Sequence, residues 1–229
     1  MNAATDREIA DRLGRLDTPA VSDALDALGI HGQCVGLLPV GAELTSHHGP
    51  MVGRAFTVRM LPVGESGRSV GDYIDDVPAG AVVVIDNLGR LDTTVWGDLL
   101  TATAVRNGVA GVVIDGVCRD SGGIVETGLP VFARSRTMRT GKDRVAAESY
   151  EVAVQAATVR VDPGDWLLGD RDGVLVVPAG RCAEVLAKAE EIDAAEDRIR
   201  VRLRSGDRLD EARRTAGYHR LQAPAGSTS

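Results

Sequence analysis

What this 229-residue sequence has little of sets its first limits. Aromatic side chains make up only 3% of it, so a core must come from Val, Leu, Ile and Ala within an ordinary 44% hydrophobic content. Cysteine occurs three times, at Cys34, Cys118 and Cys182, far apart and without a C-x-x-C spacing. That argues against a disulfide framework or a zinc cluster and reads as a reducing compartment. A basic surplus is also missing: the formal charge is −7. A nucleic-acid partner is therefore disfavoured, because nothing is left over to displace counterions from phosphate. No window holds the roughly 20 apolar residues of a membrane span, and the first residues carry no apolar signal core. The expectation is a cytoplasmic protein without a membrane partner.

Some features that are present carry little. His47-His48 invites a metal, yet adjacent histidines share an ion poorly and no carboxylate follows at ligand spacing. Residues 32–50, rich in Gly, Pro and His, read as a long loop or arm. Cys118 reads as a small buried filler, with no histidine near in sequence to activate it.

Periodicity predicts a short helix over residues 5–13 capped by Thr5. A second follows, with Thr18 as N-cap, Pro19 at its first position and Gly29 after its end. Strands are predicted over 53–60 and 81–86, with a helical turn or two in 69–77 between them. Asp86-Asn87 falls at the carboxyl end of the second strand, where α/β proteins place polar working residues. Further strands or hairpins are predicted over 130–133, 151–161 and 166–177, with a basic loop at 134–144. A long helix over 179–204 places its arginines at the end that suits the helix dipole. Repeated β elements with few helices between them fit an α/β fold with more than one sheet layer better than a simple doubly wound sheet.

The most informative stretch is Trp96 to Asp120, WGDLLTATAVRNGVAGVVIDGVCRD. Gly97-Asp98 opens a helix, Gly108 stops it, and residues 109–114 form a buried strand leaving through Asp115-Gly116. A helix N-terminus with spare N–H groups suits a carboxylate. Arg119 is a fixed cation and Asp120 a hard oxygen ligand. Such a set suits a small keto acid and a divalent metal.

The blocks W-G-D-L-L, V-A-G-V-V-I-D-G-V-C-R-D, P-V-F-A-R and D-G-V-L-V-V-P, in this order across residues 16–206, resemble the RraA-like family. That family includes class II pyruvate aldolases acting on 4-hydroxy-4-methyl-2-oxoglutarate and 4-carboxy-4-hydroxy-2-oxoadipate. It also includes the regulator of ribonuclease E activity A. The resemblance implies an α/β fold, a layered swivelling-type β/β/α single domain with N-terminal helices and a long C-terminal helix, assembling as a homotrimer or homohexamer. The domain would span residues 1–214, with 215–229 a disordered tail.

The resemblance further implies roles for single residues. Asp120 would bind Mg²⁺ or Mn²⁺, and Arg119 would contact the keto oxygen of the substrate. The start of the helix (Gly97, and the N–H groups of Asp98, Leu99 and Leu100) would hold its carboxylate. The Asp98 side chain would orient a water. Glu196 of a neighbouring subunit would approach the metal shell, with Glu190, Glu191 and Asp193 as alternatives. The activity implied is cleavage of a 4-hydroxy-2-oxo acid to pyruvate through an enolate, with oxaloacetate decarboxylation as a companion.

Both reactions develop negative charge that a fixed cation and a Lewis acid stabilise. A Schiff-base lysine would serve the same end. The two lysines, Lys142 in a charged loop and Lys188 on the terminal helix, both lack an apolar strand setting, which favours the metal route. The alternative is a non-catalytic, protein-binding regulator. A methyltransferase reading lacks a G-x-G-x-x-G loop for S-adenosylmethionine. Arg90, Arg134 and Arg136 are candidates for a distal substrate carboxylate.

Overall fold

A computed structural model describes residues 3–41, 49–64 and 69–218. The His47-His48 pair and residues 219–229 of the expected tail lie outside the described residues.

The chain runs α1 (Ala3–Leu13), α2 (Thr18–Ala27), β1 (Leu38–Pro39), β2 (Met51–Pro62), a 3-10 turn (Asp72–Asp76), β3 (Ala81–Asp86) and α3 (Asp98–Arg106). It continues through β4 (Gly111–Cys118), α4 (Ser121–Thr127), β5 (Val131–Arg136), β6 (Val145–Tyr150), β7 (Val154–Ala156) and β8 (Val159–Val161). The last elements are β9 (Trp166–Asp170), β10 (Gly173–Val177), α5 (Cys182–Arg204) and α6 (Leu209–Ala216).

One sheet orders its strands β1-β5-β4-β3-β2-β9-β10. Strands β2 to β5 pair in parallel, whereas β1, β9 and β10 join antiparallel. Strand β2 is long enough to serve two neighbours on one edge: Met51–Arg54 pair with β9, and Val58–Pro62 with β6. This is the mixed α/β single domain that the sequence called for.

Strands β3 and β4 are buried at every position, as central parallel strands covered on both faces should be. Their alternate residues serve two cores. Val83, Ile85, Val112 and Ile114 pack with Trp96, Ala104 and Ile124 on the helical side. Val82, Val84 and Val113 pack with Val154, Val159 and Val161 of the β7-β8 hairpin on the other. A third core joins α1, α2 and α5 to Trp166, Leu168, Leu175 and Val177 of β9 and β10.

Several expectations shift once tertiary contacts are visible. Thr5 lies inside α1. The cap of α2 is Asp17, whose Oδ1 accepts the Ala20 N–H at 2.9 Å. Thr18 instead donates both its N–H and its hydroxyl to Asp170, at 2.8 and 2.7 Å. Thr215 and Ala216, assigned to the tail, complete α6. The predicted exit turn Asp115-Gly116 is an irregularity within β4, which runs on to Cys118 with a shifted register against β5. Such a bulge re-aims the residues after it, and here those are Val117 to Asp120.

Candidate active site

The re-aimed end of β4 meets the segment before α3. Val95 donates to Val117 O at 3.3 Å, and Arg119 N donates to Trp96 O at 3.0 Å. Trp96, buried among the helical core residues, donates its indole N–H to Thr101 Oγ1 at 2.8 Å. Thr101 Oγ1 in turn donates to Gly97 O at 2.8 Å. A large apolar ring with one satisfied polar tip therefore fixes where α3 starts.

That start lies directly against the Arg-Asp pair. Gly97 is the extended N-cap of α3, with φ −156° and ψ −171°. A Cβ built on it would stand 2.6 Å from Asp120 Oδ2 and 3.4 Å from Arg119 Nε. Arg119 Nε and Asp120 Oδ2 are 3.1 Å apart. Asp120 holds a left-handed backbone, φ 53° and ψ 37°, at the start of α4. A left-handed non-glycine residue stores strain and persists only where its surroundings fix it. Asp98 packs its side chain on the first turn of α4, where a Cβ at Gly123 would come 3.1 Å from Asp98 Cβ.

These groups line a cavity of about 730 Å³. Trp96 to Leu100 with Arg119 and Asp120 form one wall. Ser69 to Asp72, Ile74 and Asp75 form another, and Thr140 to Asp143 with Val145 a third. The cavity thus gathers Gly97, Asp98, Leu99, Leu100, Arg119 and Asp120. Of the three N–H groups assigned to a carboxylate, that of Leu99 is taken by Asp98 Oδ1 at 2.8 Å. Those of Asp98 and Leu100 have no acceptor among the described residues, as the first turn of a helix leaves them.

Glu196 is not brought to this cavity within the chain. It lies on α5, where it accepts from Arg200 Nη2 and from Tyr218 OH, both at 2.6 Å. The Tyr218 hydroxyl is pushed up to about 12, by burial first and by the Glu196 contact second. The alternatives are also engaged: Glu190 with Arg12, Glu191 with Lys188, and Asp193 with Arg200. No described residue of α5 lines the cavity.

The arginines considered for a distal carboxylate stand elsewhere. Arg134 pairs with the buried Asp115, and neither Arg90 nor Arg136 is among the lining residues. Asp115 Oδ2 also accepts the Ala157 N–H at 3.1 Å, while Asp86 accepts those of Leu88 and Gln155. These carboxylates, at the end of β3 and inside β4, accept from backbone N–H groups of the β7-β8 hairpin and of Leu88. Lys142, set aside with its charged loop, does line the cavity. Its sequence neighbours give no sign of this, because a long-range contact places it. Burial raises the Cys118 thiol to about 11, so it stays protonated beside Arg119.

As to chemistry, Asp120 offers a carboxylate with one oxygen on Arg119, and Asp98 offers a second carboxylate on the same wall. No group of three or more His, Cys, Asp or Glu is arranged around a common point among the described residues. Two carboxylates on one wall fit a hard cation that keeps most of its water, as Mg²⁺ does, better than a stripped, fully caged ion.

Known proteins share this arrangement of chain. DlpA of Legionella pneumophila is 38% identical over 213 residues, which is 92% of this chain and 34% of that protein. The chain therefore spans about a third of that relative's length. A Halalkalibacterium halodurans protein named "Putative 4-hydroxy-4-methyl-2-oxoglutarate aldolase" is 30% identical over 188 residues, 80% of this chain and 82% of its own. The solved structure of RraAS2 from Streptomyces coelicolor, described as an unusual member of the RNase ES inhibitor RraA family, superposes with a TM-score of 0.74 at 28% identity. It covers 83% of this chain and 94% of its own. The RraA-like family, described as Aldolase/RraA, matches residues 18–176, more than half of the sequence, and the chain belongs to it.

Proposed function

We propose that the chain is a divalent-metal-dependent carbon-carbon lyase that releases pyruvate from a 4-hydroxy-2-oxo acid. The observation that carries the reading is the placement of Arg119 and Asp120 against the bare N-terminus of α3, in a cavity of substrate size. The N–H groups of Asp98 and Leu100 hold the C1 carboxylate, aided by the helix dipole. Arg119 faces the C2 oxygen and stabilises the charge that develops there. Asp120, with Asp98 beside it, would hold Mg²⁺ or Mn²⁺, and the bound ion would supply Lewis-acid stabilisation of the developing negative charge.

Cleavage begins as the C4 hydroxyl gives up its proton, received by Asp98 through a water. The C3–C4 bond breaks, C4 leaves as a carbonyl, and the electron pair moves into the pyruvate enolate held by Arg119. Return of the proton to C3 completes pyruvate. Oxaloacetate decarboxylation passes through the same enolate and needs the same enolate-stabilising groups, with CO2 leaving from C4 and no hydroxyl proton to remove. Glu196 enters this reading only from a second copy of the chain, in a trimer or hexamer.

The name of the halodurans relative supports the lyase reading. Likeness to RraAS2 supports a protein-binding regulator equally well, but that role leaves the Gly97–Asp120 arrangement without a use. The test is pyruvate release, coupled to lactate dehydrogenase, from a panel of 4-hydroxy-2-oxo acids and oxaloacetate with Mg²⁺ or Mn²⁺. Pyruvate should form, and Asp120→Ala should abolish it. Absence of pyruvate from the whole panel, or an Asp120→Ala variant as active as the parent, would sink the proposal.

A further inference from the structure

Thr94 is buried, lines the cavity and takes no part in the chemistry described so far. Its hydroxyl is engaged twice by one residue: it donates to Trp96 O at 2.9 Å and accepts the Trp96 N–H at 3.3 Å. That N–H has no other acceptor among the described residues. Trp96 O also accepts from Arg119 N, at 3.0 Å. One carbonyl oxygen thus stands between the Thr94 hydroxyl and the backbone of Arg119.

The backbone of Thr94 is tied as closely. It forms a parallel bridge with Val117, the first residue of β4 to pair again after the register shift. Thr94 N donates to Arg139 O at 3.1 Å, and Gly141 lies on Thr94 O so closely that any Cβ there would collide with it. The N–H groups of Arg144 and Val145 both return to Gly141 O. The wall made by residues 140–145 and the end of β4 that carries Arg119 and Asp120 therefore share one anchor. Helix α3 has a separate tether, the bonds from the Trp96 indole through Thr101 to Gly97 O.

We propose that Thr94 is the positioning residue of the Arg119–Asp120 pair: its hydroxyl fixes Trp96 O and, through it, the backbone of Arg119. This rests on the reading that Arg119 stabilises a pyruvate enolate. Charge on the C2 oxygen grows only as the bond breaks, so a misaimed Arg119 lowers kcat. The C1 carboxylate is held at α3, whose tether does not pass through the Thr94 hydroxyl, so KM keeps its value.

The experiment compares the parent with Thr94→Val and Thr94→Ser, loaded with Mg²⁺ and at a temperature where all three are folded. Valine keeps the shape and removes the hydroxyl; Thr94→Ala takes its place if the valine variant does not fold. In Thr94→Val, kcat for pyruvate release should fall about 10- to 100-fold with KM unchanged, as a misplaced group costs. Serine should restore most of it. Equal loss in the valine and serine variants, or a loss that falls on KM, overturns the assignment.

The Arg119 Nε–H resonance in nitrogen-15 spectra, assigned with Arg119→Lys, separates this proposal from the reading beneath it, since it is read without metal or substrate. Its exchange with water should quicken in Thr94→Val, where the 3.1 Å tie to Asp120 loosens, and keep the parent's rate in Thr94→Ser. That pattern supports the role of Thr94 even where no acid yields pyruvate. An exchange rate that valine leaves unchanged overturns it, whatever the activity.

Discussion

Gly97 lies where a side chain would displace Asp120: its Cβ would fall 2.6 Å from Asp120 Oδ2. Its backbone is extended, which alanine adopts without strain, so the requirement for glycine comes from contact alone. Gly97→Ala should therefore fold normally yet push the Asp120 carboxylate and Arg119 aside. Displacing groups that orient a metal ligand typically costs about 10- to 100-fold in metal affinity or activity. The expected outcome is a loss of that order in kcat/KM and in Mn²⁺ affinity by electron paramagnetic resonance, with an unchanged melting temperature. A variant that binds Mn²⁺ and turns over like the parent would show that Asp120 has room to spare.

The chain of bonds from Trp96 Nε1 to Thr101 Oγ1 to Gly97 O gives a stability prediction. Thr101→Val keeps the volume but leaves the indole N–H buried and unpaired. An orphaned buried donor costs about 1–3 kcal/mol, which in a domain of this size lowers the melting temperature by about 2–4 °C per kcal/mol. Thr101→Ser keeps the hydroxyl and should recover most of the loss. Equal melting temperatures for the valine and serine variants would mean that the bond contributes nothing.

Arg134 is a structural cation by its contacts, and that is testable. Its partner Asp115 is almost fully buried, with 1% of its side chain exposed, while Arg134 is 31% exposed. Arg134→Met leaves a carboxylate whose remaining partner among the described residues is the Ala157 N–H. The cost should fall below the ~3–5 kcal/mol of a fully buried pair, because water reaches the arginine. Hydrogen exchange should quicken in β7 and β8, with KM for a diacid unchanged. A raised KM with a quiet hairpin would return Arg134 to the substrate.

What could be read from the sequence followed locality. Apolar spacing and glycine stops gave α2, β3 and α3 nearly to the residue, because their cues lie within one turn or one strand. Gly29, Gly108 and Gly128 all take the left-handed conformation that ends a helix. The continuation of β4 past Asp115-Gly116 was not legible, since the partners that hold it, Thr94 to Trp96 and β5, lie elsewhere in the chain. The same holds for Thr18, whose hydroxyl turns to Asp170 and leaves the cap to Asp17. At the site, Gly97 to Leu100, Arg119 and Asp120 share one continuous stretch and could be grouped by eye. Lys142 could not, because only the fit of Gly141 on Thr94 brings its loop to the cavity. Nor could sequence show that Asp98 captures the Leu99 N–H that was expected to hold a substrate carboxylate.

The acid limb of stability should run through α1. Its two outward ties are Arg12 with Glu190 and Asp6 with Arg54. The hydrogen-bonded guanidinium in each case holds the carboxyl below its ordinary value, 4.5 for Glu190 and 3.8 for Asp6. A carboxyl with a lowered folded-state pKa contributes stability that is complete above its unfolded value. That contribution drains away as pH falls through the lowered one. Asp193 works in the opposite sense: burial raises it first and Asp197 second, so acid relieves its cost. Both ion pairs are more than a third exposed at the carboxylate, and solvent screening keeps each contribution small. The melting temperature should therefore decline gently from about pH 5 to pH 3 as the lowered carboxyls titrate. Arg12→Met should flatten part of that decline by letting Glu190 return to its ordinary value. A variant whose acid limb retraces the parent's from pH 5 to pH 3 would show that the α1–α5 tie carries none of the pH dependence.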